Sequence, residues 1–244
     1  MRSMDVVFRR DELRSERVAG RACTVIDVLR AGTSVARAFD ACAKEVRLFR
    51  EVDEARRERE KFKLPAVLAG ERAGLKVHGF DAGNSPSEFT RSLVGGKTVF
   101  LTTTNGTAAL ADCASSEFVA FAALVNATAV AKALSARSES IVIVCAGTEG
   151  SYSAEDTLCA GIIASRILSD VGPGQLSLGD GARIALAYAA ENMRDPEGVV
   201  AGGAHGKVLA SLGLRKDLAG CALLDALGVV PVLKRDPLRL VLDV

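Results

Sequence analysis

From its first residues to about position 170 the chain alternates short apolar runs with segments of helical length, and no other feature constrains its fold as strongly. The apolar runs predict strands at 4–8, 22–28, 45–49, 66–69, 97–103, 117–121 and 140–146. Between them, the patterning predicts helices at 32–43, 52–62, 86–93, 106–113, 126–136 and 154–169. Strands separated by helices of this size argue for βαβ units, hence an α/β fold with largely parallel or mixed sheets flanked by helices. Strands covered on both faces are apolar throughout. The composition agrees, with 49% of residues hydrophobic and only 5% aromatic, so Val, Leu, Ile and Ala must fill the core. The last third reads differently. "SLGDGARIALAYAAENM", "EGVVAGGAHGKVLASLG" and "RKDLAGCALLDALG" predict three helices, followed by extended pieces at 229–234 and 238–242.

Charge and cysteine usage exclude several functions. With 31 basic and 30 acidic residues the net charge is +1, and the basic excess or stripe expected of a nucleic-acid binder is missing. Six cysteines are scattered without C-x-x-C or metal-finger spacing, so those in apolar runs are read as small hydrophobes. No signal peptide and no apolar stretch of spanning length are found, which predicts no membrane association and a cytoplasmic protein. A homodimer is the default expectation for assembly.

Ligands of α/β folds sit beyond the carboxyl ends of the strands, so the strand ends carry the functional reading. The strand at 22–28 delivers Asp27, Arg30, Thr33 and Ser34, and the one at 66–69 leads to Glu71, Arg72, Asp81, Asn84 and Ser85. The strand at 97–103 ends in Thr103, Thr104, Asn105, Gly106 and Thr107; the next leads to Asn126, and the last to Glu155 and Asp156. These types suit a small anionic ligand. Gly106 lets amides at a helix N-terminus approach an anion, the hydroxyls and amides add neutral donors, and Arg30 and Arg72 can each grip an anion with two parallel bonds. Carboxylates on the same rim would repel it unless a hard divalent cation, most simply Mg²⁺, joins them to a phosphate. Asp27, Glu71 and Asp81 are the metal candidates. Taken singly, many of these residues also read as helix caps or turns; the set points to one shared cleft. His78 and His205 are isolated and make no metal pair.

Familiar phosphate motifs fail. "VGGKT" at 94–98 precedes a strand and has Arg91 where a P-loop needs its first glycine. "IDVLRAGTS" has a strand-end aspartate, but Leu29 stands where haloacid dehalogenase phosphatases carry their second one. Neither G-x-S-x-G nor H-E-x-x-H occurs.

The segments "VIDVLRA", "GER", "GFDAGNSP", "TTTNGT", "ALVNA", "CAGTEG" and "EDTLCAG" instead occur in the order found in the 2-phosphosulfolactate phosphatase family, which the chain resembles from about residue 22 onward. The tail "HGKVLASLGLRKDLAGCALLDALGVVP" is similar as well. One departure is visible: the family usually reads "DVLRATST", and this chain has "DVLRAGTS", with Gly32 in place of the first threonine. The resemblance implies a single catalytic unit over 1–244, built from two α/β subdomains. It also implies Mg²⁺-dependent release of phosphate from 2-phospho-3-sulfolactate, a step of coenzyme M biosynthesis in methanogens.

On this reading Asp27 lies near phosphorus as Mg²⁺ ligand or nucleophile, and Arg30 and Arg72 hold phosphate or sulfonate oxygens. Asn84, Ser85, Thr103, Thr104, Asn105, Gly106 and Thr107 bind substrate, and Asn126 orients it. Asp156 is the candidate general acid or base, with Glu155 as its substitute. A phosphatase for another small phosphorylated acid and a non-catalytic binder of an anionic metabolite are the competing readings.

Overall fold

The computed structural model describes residues 2–243. Its strands are β1 (Ser3–Val7), β2 (Ala22–Ile26), β3 (Glu45–Phe49), β4 (Ala66–Arg72), β5 (Leu75–Lys76) and β6 (Thr98–Thr102). They continue with β7 (Phe118–Ala122), β8 (Ile141–Cys145), β9 (Ser177–Leu178), β10 (Pro231–Lys234) and β11 (Arg239–Leu242). All join one mixed sheet in the order β5-β4-β6-β3-β11-β10-β7-β2-β8-β1-β9. The expected α/β class is therefore observed.

The sheet contains two parallel blocks. The strands β9, β1, β8, β2 and β7 pair in parallel, as do β3, β6 and β4. The hairpin β10–β11 lies between the blocks and is antiparallel within itself, to β7 and to β3. Three successive reversals make the second block run opposite to the first.

Period-two alternation builds the two faces of the first block. Ile26, Ala122, Ile143 and Cys145 join one apolar cluster, whereas Cys23, Val25, Val119, Phe121, Val142 and Val144 join the other. That second cluster continues without interruption into Val46, Leu48, Val99 and Leu101 of the other block. On the outer face of the second block Phe100 stacks on Phe49 at 5.4 Å and meets the edge of Phe62 at 5.3 Å.

Two predicted helices are interrupted. The one at 86–93 is a 3-10 turn, Pro86–Glu88, followed by Arg91–Val94, because the Thr90 side chain caps a new start by accepting the Leu93 amide. The helix predicted over "EGVVAGGAHGKVLASLG" breaks at Gly203 into Pro196–Gly202 and Ala204–Ser211. Gly203 is extended there, and a Cβ on it would lie 2.8 Å from Glu155 Oε2. The break thus brings a helix start against the carboxylate of Glu155, itself in the first turn of the helix Ala154–Val171.

Candidate active site

The loops that follow β2, β4, β6 and β8 line one cavity of about 500 Å³. Although the two blocks run in opposite senses, residues at or beyond the C-terminal ends of strands from both line it. Asp27, Leu29 and Arg30 come from the loop after β2, Glu71 and Arg72 from the end of β4, Asn84 from the segment beyond β5, Thr103, Thr104 and Asn105 from the loop after β6, and Ser153 and Glu155 from the loop and helix start after β8.

Asp27 sits at the junction of two helix starts. Its Oδ1 accepts the Ala31 amide at 3.0 Å, opening the helix Ala31–Asp40, and its carboxylate also accepts the Gly106 amide that opens Gly106–Asp112. Both bonds favour the anion, yet burial first and then Glu71 and Glu155 push the carboxyl up to about 7. A Cβ on Gly106 would meet Asp27 Oδ2 at 2.7 Å and Phe121 at 3.0 Å, so only glycine allows this approach. Gly32 is equally constrained, with backbone oxygens of Ala122 and Asp27 at 2.4 and 2.6 Å from an added Cβ. The hydroxyls beside it face inward: Thr33 donates to the Val28 carbonyl and Ser34 to the Asn84 carbonyl.

Glu71 braces the opposite wall. Its Oε1 accepts both the amide and the hydroxyl of Thr104 at 3.0 Å, and Oε2 accepts the Gly74 amide at 2.9 Å. Arg72 donates to the Glu71 carbonyl and to Thr102 Oγ1. Glu155 lines the cavity and is raised by burial.

Arg30 is held by three remote segments. It donates to Asp217 at 2.7 Å, to the Gly74 carbonyl at 2.6 Å and to Ser85 Oγ at 3.3 Å. Ser85 in turn donates to the same Asp217 oxygen at 2.7 Å. The side chains of Arg30 and Asp217 are only 2% and 6% exposed, so this is a buried, hydrogen-bonded ion pair.

Several expectations are corrected by these positions. Asp156 does not line the cavity; its Oδ1 accepts the Val28 amide and its Oδ2 the Gly147 amide, so it ties the β2 and β8 loops together. Its carboxyl is raised well above the usual range, chiefly by burial, then by Glu155 and Asp27. Asn126 is fully buried and spends its amide on Ala123, Phe121 and Val229, which clips the β7 loop to the C-terminal segment rather than to a ligand. Asp81 is exposed outside the cavity and accepts the Leu68 amide, so the structure does not bring it together with Asp27 and Glu71. Ser85 reaches the site only through Arg30 and Asp217. At the helix start Gly106–Asp112, Asp27 Oδ2 lies against Gly106 and Thr103 Oγ1 accepts the Thr107 amide at 3.4 Å.

Two residues were missed. Asp217 lies on the helix Arg215–Ala222, where "RKDLAG" gives no sign of burial. His205 lies on Ala204–Ser211 and lines the cavity, half-buried; burial and then Arg30 lower its pKa. The one available signal was its glycine-rich setting, "GGAHG".

The donor set suits a hard cation in part. Asp27, Glu71 and Glu155 are carboxylates on one cavity wall system, and the buried Asn84 Oδ1 has no hydrogen-bond partner. Among the described residues no three His, Cys, Asp or Glu side chains cluster closely enough for an all-protein cage. A site with one or two carboxylates, completed by waters and substrate oxygens, is the habit of Mg²⁺. Asp27, Glu71 and Asn84 are the residues that could hold it.

Comparison with known proteins gives a consistent picture. A family model described as 2-phosphosulpholactate phosphatase matches residues 7–236. A Clostridium acetobutylicum protein named probable 2-phosphosulfolactate phosphatase is 35% identical over 228 residues, covering 93% of this chain and 96% of the relative. A Deinococcus radiodurans protein of the same name is 44% identical over 212 residues, 86% of either chain.

Proposed function

The chain belongs to the 2-phosphosulfolactate phosphatase family, and from that premise we propose that it hydrolyses 2-phosphosulfolactate to 3-sulfolactate and inorganic phosphate, with Mg²⁺ as cofactor. The observation that carries the reading is the meeting of Asp27, Glu71 and Glu155 with Arg30 and Arg72 in one cavity. A protein that merely binds an anion has no use for three carboxylates around it, whereas phosphoryl transfer needs charge neutralisation and proton transfer at the same place.

Mg²⁺, when bound, supplies positive charge to the phosphate oxygens. The chain's own residues do the rest. Asp27, in its ionised form, faces phosphorus and either attacks it, forming an aspartyl-phosphate that water then hydrolyses, or takes a proton from the water that attacks phosphorus directly. Glu155, kept protonated to higher pH by burial, is placed to give its proton to the leaving C2 oxygen, the role first expected of Asp156. Arg72 and the Thr103–Asn105 turn hold phosphate oxygens.

Phosphate release from 2-phosphosulfolactate and from 2-phospholactate tests the reading. We expect release from the sulfonated ester, loss of it with a chelator, and recovery on adding Mg²⁺. Anion binding without release from either ester would leave a binding protein.

A further inference from the structure

A general acid has to recover its proton after every turnover, and Glu155 is poorly placed to do so from the substrate side. It is only 2% exposed, and a substrate seated in the active-site cavity excludes water from it. A second cavity, of about 440 Å³, lies on its other side. Ala154 lines both cavities. Gly203 lines the second and stands directly against the carboxylate, since a Cβ on it would come within 2.8 Å of Glu155 Oε2. The wall between Glu155 and the second cavity is thus a residue without a side chain.

That cavity is open to solvent, because Glu191, Arg194 and Asp195 on its lining are exposed. Its inner part is lined by the half-buried Tyr188 of the helix Asp180–Asn192, whose phenol both donates and accepts hydrogen bonds. Glu155 is close enough to act on this phenol, which is raised first by burial and then by the Glu155 charge.

We infer that the second cavity is the solvent route to Glu155: water entering past Tyr188 and Gly203 returns the proton that Glu155 has given to the leaving C2 oxygen. The inference rests on the phosphatase reading above and deepens it. The protons balance on either route at Asp27. Where Asp27 has attacked phosphorus, the entering water gives a proton to the Glu155 carboxylate and its oxygen attacks the aspartyl-phosphate. Phosphate then leaves and Asp27 is restored as the carboxylate. Where Asp27 has instead taken a proton from the attacking water, Glu155 takes one from solvent in the second cavity and Asp27 releases one to solvent in the first.

Rapid-quench kinetics on 2-phosphosulfolactate tests the route, because the first turnover uses the proton already on Glu155 and later turnovers do not. Gly202 and Val199 line the second cavity, and a Cβ on Gly202 meets nothing within 4 Å. Gly202→Phe and Val199→Phe therefore fill the cavity from two positions, and whichever folds decides the matter. The first equivalent of 3-sulfolactate should form at the wild-type rate, and the steady-state rate should fall ~10-fold or more, within the range that general acid catalysis supplies. An unchanged steady-state rate, or first and later turnovers slowed alike, overturns the route. No 3-sulfolactate from the wild type would instead overturn the phosphatase reading, and this route with it.

Discussion

Asp27 accepts amides from two helix starts and is nevertheless a weak acid for a carboxylate, with a folded pKa of about 7 against an ordinary 3.8. The folded state therefore binds this proton more tightly than the unfolded one. The stability it contributes is full below about pH 4, falls as the pH rises through 7, and stays low above that. Asp27→Asn removes that pH dependence but turns an N–H toward one of the two amides, so its melting temperature relative to the wild type should rise by the equivalent of a few kcal/mol between pH 4 and pH 8. The same variant should lose turnover on the order of 10³-fold or more. Thermal melts at the two pH values, paired with phosphate release, check this; a difference from the wild type that is the same at both pH values would contradict it. Glu155 and Asp156 separate in a similar way. Glu155→Gln should abolish most activity and keep the fold, because its carboxyl opens on the cavity. Asp156→Asn replaces one of two acceptors with an N–H facing an amide; it should lower the unfolding free energy by about 1–3 kcal/mol in urea titrations. Which carboxylate did which task was hidden in the sequence, where the two are adjacent residues of one helical turn. Their side chains diverge by about 100° around the helix, one toward the cavity and one into the loop junction.

Among the elements, "TTTNGT" was legible because small hydroxyl residues at the end of a buried strand have no packing purpose. What the residues do there was not legible. Thr103 bonds Thr107, Thr104 bonds Glu71, and Gly106 gives its amide to Asp27, since a strand end states which groups arrive but not how they pair. The C-terminal helices were harder still. Asp217 looks like an ordinary charge on an exposed face, and only contact with Arg30, 187 residues away, reveals its burial. This pair yields an element-scale prediction. Asp217→Leu strands a buried guanidinium and should cost about 3–5 kcal/mol. Adding Arg30→Met should return much of that stability, because the two changes share one interaction, while activity stays lost. Urea midpoints with phosphate-release assays on the single and double variants distinguish this from simple additivity, which would mean that the two side chains do not act as a unit.

At the scale of the molecule, βαβ alternation predicted parallel strands correctly for each block, but nothing local announced that the blocks oppose one another. That reversal depends on the hairpin β10–β11, whose partners β7 and β3 lie more than a hundred residues earlier in the chain. Both blocks nevertheless supply carboxylates to one cavity, Asp27 and Glu155 from segments after β2 and β8 and Glu71 from the end of β4. Within the sheet, the hairpin is the hydrogen-bonded link between the blocks. The apolar cluster beneath it runs from Val25 and Val144 in one block to Val99 and Leu101 in the other, with fully buried Leu240 of β11 as a member. If that cluster couples the blocks, Leu240→Ala should lower global stability by about 2–5 kcal/mol. The loss should then appear equally at slowly exchanging amides of both blocks, for instance Ile143 in β8 and Leu101 in β6. Native-state hydrogen exchange measures the two sites in one experiment. A drop confined to Leu101 would mean that the second block opens alone, and that the active-site cavity joins two units which fold separately.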